Sequence, residues 1–141
     1  YDDYGHHPTE MDSTINALKS VTRGRLYVIF QPHRYTRTEK LFERFISTLV
    51  NADYSIILDI YSAGEDPIPG ISTKVLLKEH LQDNIKYIDS SKNVIDYISE
   101  VVQQGDTVLT LGAGDVTLIA PKILEMLNDW GIYWPIKKNN I

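Results

Sequence analysis

The sequence predicts a single α/β domain, doubly wound, with a mainly parallel, Rossmann-like sheet and helices on both faces. Two observations predict it. Short β-branched or aromatic runs recur along the chain: Leu26-Tyr27-Val28-Ile29-Phe30, Tyr54 to Ile60, Ile85-Lys86-Tyr87-Ile88 and Thr107 to Leu111. The first, second and fourth are nearly continuous in apolarity, as strands covered on both faces of a parallel sheet are. Between the runs, apolar residues repeat at helical spacing instead.

The first element is a helix: Pro8 suits its opening turn, Met11, Ile15 and Leu18 share one face, and Gly24 ends it. The first strand follows. Leu41, Phe42, Phe45, Ile46, Leu49 and Val50 then mark a helix leading to the second strand. Ser72 is placed to cap a helix carrying Val75, Leu76 and Leu81. After the third run come Val94, Ile95, Ile98, Val101 and Val102, again at helix spacing. A last helix carries Leu118, Ile119, Ile123 and Leu127; Asp115 can cap it, and Pro121 predicts a kink or a later start. The tail from Ile132 to Ile141 is expected to fray.

Composition bounds the function. The chain has 141 residues, 43% hydrophobic and 23% charged, the balance of an ordinary soluble domain. No apolar run reaches transmembrane length and no signal segment opens the chain, so no membrane partner is expected. The absence of cysteine excludes disulfides and thiolate metal sites and fits a reducing, cytoplasmic setting. With 14 basic and 19 acidic residues the net charge is −5, which argues against a phosphate-tracking nucleic-acid face. Tyr1-Asp2-Asp3-Tyr4 opens without an initiator methionine, so part of a longer protein is expected, with more chain upstream.

In an open parallel sheet, ligands bind outside the carboxyl ends of the strands. Polar loops follow each strand here: Gln31 to Thr38, Tyr61 to Glu65, Asp89-Ser90-Ser91 and Gly112-Ala113-Gly114-Asp115. The leading helix runs antiparallel to the strand it feeds, so its start lies at the same edge and brings His6 and His7 towards His33, Arg34 and Arg37. Each arginine presents a planar fork that can hold a carboxylate or phosphate through paired hydrogen bonds. The evenly balanced alternative is that both are solvated or pair with Glu39 and Glu43. Adjacent Asp and His residues from Asp2 to His7 could ligate zinc. Neighbours rarely face one metal together, however, and a linker with ligand contacts, in which His7 or Asp3 caps free N–H groups, is preferred. Gly112-Ala113-Gly114-Asp115 is a weak dinucleotide signal and reads better as a tight strand-to-helix turn. Glu65 could meet a cation or amine, though loop carboxylates are more often solvated. His80, among Lys78, Glu79 and Gln82, reads as surface.

Two segments carry a family resemblance. Asp2-Asp3-Tyr4-Gly5-His6-His7-Pro8-Thr9-Glu10 resembles the joint between the central and C-terminal domains of the Mur ligases, in the form found in their alanine-adding members. Phe30-Gln31-Pro32-His33-Arg34-Tyr35-Thr36-Arg37-Thr38 is similar to the next signature of those members, and tripeptide-recycling members differ in both places. Tyr61 to Gly70 and Gly112 to Asp115 match further stretches, so the resemblance extends to about Asn128.

The resemblance implies the C-terminal domain of an ATP-dependent ligase in peptidoglycan precursor synthesis. Residues 1–8 would form the inter-domain linker or hinge and residues 9–141 the domain. In such ligases ATP phosphorylates the lactyl carboxylate of UDP-N-acetylmuramate, and the amine of L-alanine attacks the acyl phosphate. The sugar site, the phosphate loop and most Mg2+ ligands belong to upstream domains. Carried over residue by residue, His6, Arg34 and Arg37, with His33 beside them, would hold L-alanine. Asp3 and Tyr4 would approach ATP or its metal shell. This chain alone would supply no catalytic residue and no metal site and would be inactive, and its Tyr1–Gly5 segment would be a mobile hinge. The alternatives are a stand-alone α/β module for an anion or nucleotide, or an interaction domain whose edge loops bind no ligand.

Overall fold

A computed structural model describes residues 1–129. The elements are β1 (Asp2–Asp3), α1 (Pro8–Val21), β2 (Leu26–Phe30), α2 (Tyr35–Leu49), β3 (Tyr54–Ile57), α3 (Thr73–Lys78), β4 (Ile85–Tyr87), α4 (Ser91–Val101), β5 (Thr107–Leu111) and α5 (Ile119–Asp129). The five strands form one sheet in the order β1-β5-β2-β3-β4. Every pairing is parallel, with Phe30 beside Leu111 and Ile57.

Side-chain alternation in β2 builds both layers. Leu26, Val28 and Phe30 face one core with Met11, Ile15 and Leu18 of α1, Phe42, Phe45, Ile46 and Leu49 of α2, and Leu77 of α3. Tyr27 and Ile29 face the other, with Val94 and Ile98 of α4 and Ile119, Ile123 and Leu127 of α5. The Phe30 and Phe45 rings meet at 4.9 Å, and burying each contributes about 1.5–3 kcal/mol. The doubly wound reading holds, and so do the buried faces of α1, α2 and α4, except that Val50 is exposed beyond the end of α2 and Leu41, Ile95, Val101 and Val102 are only partly buried.

Boundaries differ in instructive ways. The second run is strand only to Ile57; Leu58 N still donates to Phe30 O at 2.9 Å, and Asp59 accepts from the Tyr87 hydroxyl at 2.6 Å. Ser72 does cap α3, accepting from Val75 N, but the helix stops at Lys78; Thr73 and Leu77 are its buried residues, while Val75 is 43% and Leu81 76% exposed. Asp115 does not cap the last helix. It opens a 3-10 turn over Asp115–Leu118, and α5 starts at Ile119 with Pro121 in its first turn, where a missing N–H costs nothing. The tail expected to fray, Ile132 to Ile141, lies outside the described residues.

The sequence gives no sign of β1, since aspartates are poor strand formers. Polar bonds alone hold it. Tyr1 N donates to Val108 O at 2.9 Å, Thr110 N to Tyr1 O at 3.0 Å and Gly112 N to Asp3 O at 3.0 Å. The Thr110 hydroxyl donates to Asp2 at 2.7 Å and that of Thr14 to Asp3 at 2.6 Å. Within the segment expected to be a mobile hinge, Asp2–Asp3 thus run as an edge strand bonded to β5, and Asp3 also bonds to α1. Thr14→Val is expected to cost about 1 kcal/mol, measured by denaturant unfolding, because it strips one of the two partners from the Asp3 carboxylate.

Candidate functional site

Strand order reverses beside β2: successive strands β3 and β4 lie to one side of it, and β5 lies to the other. The loops after β2 and β5 diverge at this switch point, where an open α/β sheet forms its crevice. Gln31, only 4% exposed, sits between them. Its backbone N donates to Leu111 O at 3.0 Å, its side-chain oxygen accepts from Val116 N at 2.9 Å, and its amide donates to Asp59 O at 3.3 Å. One amide thus ties the exits of β2, β3 and β5 together. A glutamine directly after five apolar residues is the signal that sequence reasoning passes over.

The glycines of the β5 loop make the tight turn expected of them. Gly112 adopts φ +132°, and a Cβ there would lie 2.9 Å from Gln31 O. At Gly114 it would lie 2.6 Å from the Tyr61 ring and 2.8 Å from the Gln31 amide oxygen. Tyr61 in turn frames the loop after β2, donating from N to Pro32 O at 2.8 Å and accepting from Arg34 N at 2.7 Å.

Four of the expected residues converge on this crevice. The His33 ring lies 5.9 Å from that of His6, on the approach to α1, and 5.6 Å from that of Tyr61. Arg34 occupies the residue before α2 at φ 70°, ψ 142°, and Arg37 lies in the first turn of that helix. A positive φ at a non-glycine costs of order 1–3 kcal/mol and persists where the surroundings enforce it. Arg37 Nη1 and His33 Nδ1 are buried without any hydrogen-bond partner. Buried polar atoms are nearly always paired, so both are open to a further partner, water or ligand. Of the alternatives, pairing with Glu39 and Glu43 is not realised, since among the described residues the salt bridge is Lys92–Asp96, whereas Arg34 is exposed to solvent and Arg37 only partly so.

Burial pushes the His33 pKa down, and the charges of Arg37, His6 and Arg34 push it the same way, with Glu65 opposing. A neutral imidazole beside two guanidinium groups leaves the cluster cationic without a third full charge. His33 is expected to titrate below the ordinary histidine value of about 6.5 in an NMR pH series. The sign for stability follows. The unfolded chain takes up the proton more readily than the folded one, so stability declines as pH falls from about 6.5 to the folded pKa and levels off below it.

The remaining candidates stand apart from the cluster. His7 is the N-cap of α1, accepting from Thr9 N. Asp3 accepts from Gly5 N at 2.8 Å and from Thr14 at 2.6 Å, so both its oxygens are engaged. Tyr4 is 64% exposed at the crevice edge, with its carbonyl 3.3 Å from His6 Nδ1. Among the described residues no three His, Asp or Glu side chains gather as metal ligands, and no helix is long and apolar enough to cross a membrane. His80 is half-buried and packs on the Phe42 ring at 5.5 Å.

A family model described as Mur ligase, glutamate ligase domain, matches residues 1–114. A curated relative, the UDP-N-acetylmuramate–L-alanine ligase of Syntrophus aciditrophicus (strain SB), is 44% identical over 131 residues, covering 91% of this chain and 27% of its own length. The chain thus spans about a quarter of the length of the curated relatives it matches. Among solved structures, the UDP-N-acetylmuramate-alanine ligase of Thermotoga maritima superposes with a TM-score of 0.67 at 22% identity, over 90% of this chain and 26% of that one. The MurF ligase of Thermotoga maritima in complex with ADP gives 0.64 at 14% identity, over 91% and 28%. At these identities the two structures establish the fold.

Proposed function

The chain belongs to the Mur ligase family, as its glutamate ligase domain, and from that premise we propose that it is the C-terminal domain of the cytoplasmic enzyme that joins L-alanine to UDP-N-acetylmuramate at the expense of ATP. The observation that carries the reading is the pair of buried, partnerless atoms Arg37 Nη1 and His33 Nδ1 in a cationic crevice. A carboxylate or phosphate is the acceptor such a fork takes, and the carboxylate is the one anionic group of L-alanine.

In this reading the chain contributes position and charge. Arg34 and Arg37 grip the amino-acid carboxylate, and His33 and His6 line the side from which the amine leaves towards the acyl phosphate. The amine lone pair forms the bond to the lactyl carbonyl carbon. The tetrahedral intermediate expels phosphate, and the amine gives up its proton as the amide forms. Residues 1–8 join the domain to upstream domains that hold the UDP-sugar, most of the ATP and the Mg2+ that supports phosphoryl transfer. Tyr4, 64% exposed, is free to meet the nucleotide in this reading. Asp3, with both oxygens bonded within the chain, fits a metal poorly, and no step is routed through it.

The test is ADP release by the full-length protein. Turnover is expected only with UDP-N-acetylmuramate and L-alanine both present, and none from residues 1–141 alone, which contain no phosphate-binding loop. Alanine-independent turnover of the full-length protein, or ligation by this chain alone, would refute the reading.

A further inference from the structure

The loop after β3 carries a carboxylate whose place the sequence does not explain. Helix α2 has no cap of its own: Arg34 stands at the N-cap position and its side chain bonds no backbone N–H. Glu65, far along the chain, supplies what is missing. One of its oxygens accepts from Thr36 N at 3.0 Å and the other from the Thr36 hydroxyl at 2.7 Å. Those bonds hold the Glu65 carboxyl below its ordinary pKa, so it stays ionised at neutral pH.

Glu65 is itself aimed. The turn Ser62–Glu65 closes through Glu65 N donating to Ser62 O at 3.0 Å. Ala63 and Gly64 at its centre both have positive φ, 51° and 83°, as in a tight primed turn. The same loop begins at Tyr61, whose carbonyl accepts from Arg34 N, and Thr38 closes the far side by donating from its hydroxyl to Arg34 O at 2.6 Å. Arg34 is therefore held in its unusual conformation from both sides, and Thr36 lies between the two arginines.

We propose that Glu65 is a positioning residue: from the loop after β3 it caps α2 and fixes the backbone from which Arg34 and Arg37 reach the amino-acid carboxylate. The role rests on the functional reading given above. Because both Glu65 oxygens are occupied by Thr36, the carboxylate does not neutralise Arg34 through a direct bond, and the two guanidinium groups remain available to a ligand.

Full-length wild type, Glu65→Ala, Glu65→Gln and Thr36→Val separate this role from general damage. Glu65→Ala is expected to raise the KM for L-alanine about tenfold while leaving kcat and the KM for ATP within about twofold. Glu65→Gln can still accept from Thr36 N and can donate to the Thr36 hydroxyl, so it should return the alanine KM to within about threefold of wild type. Thr36→Val loses only the hydroxyl bond and should raise that KM about threefold, which keeps the test alive if Glu65→Ala fails to fold. An unchanged alanine KM, parallel rises for ATP and alanine, or a Gln variant no better than Ala would overturn the proposal. If wild type shows no alanine-dependent turnover, the functional reading fails by itself, and the cap is then judged by hydrogen exchange of the Thr36 amide. Faster exchange in Glu65→Ala than in Glu65→Gln supports the cap, and equal exchange overturns it.

Discussion

Arg37→Ala in the full-length ligase is expected to lower kcat/KM for L-alanine by about ten- to a hundredfold, with little change in the KM for ATP. The magnitude follows from the chemistry: a hydrogen bond to a charged group contributes about 1.5–3 kcal/mol, and each 1.36 kcal/mol is about tenfold in rate. Arg37 Nη1 is already desolvated and partnerless, so a ligand carboxylate gains the bond without first displacing an internal partner. Arg37→Lys should rescue only in part, because an ammonium keeps the charge and loses the planar fork. Arg34→Ala should act in the same direction, and it leaves the positive-φ strain in place because alanine, like arginine, carries a Cβ. Were the arginines to hold the transferred phosphate instead, both substitutions would depress kcat at saturating alanine and leave its KM nearly unchanged. Steady-state kinetics with alanine varied at saturating ATP and UDP-sugar reads the difference.

Gly114→Ala is expected to destabilise the domain by about 2 kcal/mol, the usual range for overpacking being about 1–3 kcal/mol, and to lower Tm by roughly 8 °C. The new Cβ would sit 2.6 Å from Tyr61 Cγ and 2.8 Å from the Gln31 amide oxygen. Neither is the loose end of a flexible chain. Tyr61 is anchored through its backbone to Pro32 and Arg34, and Gln31, at the exit of β2, is bonded to the exits of β3 and β5. The shift therefore travels into the crevice between β2 and β5, and on the proposed function the alanine KM should rise together with the loss of stability. Calorimetry beside kinetics measures both, and a variant with wild-type Tm would show that the turn has more room than its geometry indicates.

Much of this was legible in the residues. The alternation of β-branched runs with helically spaced apolar residues is a one-dimensional record of which faces are covered, and the two cores of β2 follow from it directly. The meeting of His6 with His33 was legible too, because a helix that runs antiparallel to the next strand must begin at that strand's exit. Features made of backbone geometry or distant polar pairs were not legible. Strand β1 consists of aspartates held by main-chain bonds, so no hydrophobic period betrays it. The early end of α3 and the exposure of Leu81 reflect a short helix that presents one buried residue of the second turn, Leu77, where apolarity alone selects its neighbours. Glu65 reads as a solvated loop carboxylate because its partner Thr36 lies 29 residues away and only the fold brings them together. Gln31 carries the signal of its position, but what it ties together is set by strand order, which a single sequence does not state.

A structure of the full-length protein with UDP-N-acetylmuramoyl-L-alanine and a nucleotide places the ligand atoms directly. The alanine carboxylate is expected within hydrogen-bond distance, about 2.7–3.2 Å, of Arg37 Nη1 and the Arg34 guanidinium, with His33 and His6 beside it. A nucleotide or sugar phosphate in that position, with the alanine carboxylate bound elsewhere, would show that the crevice between β2 and β5 is a phosphate site and not the amino-acid site.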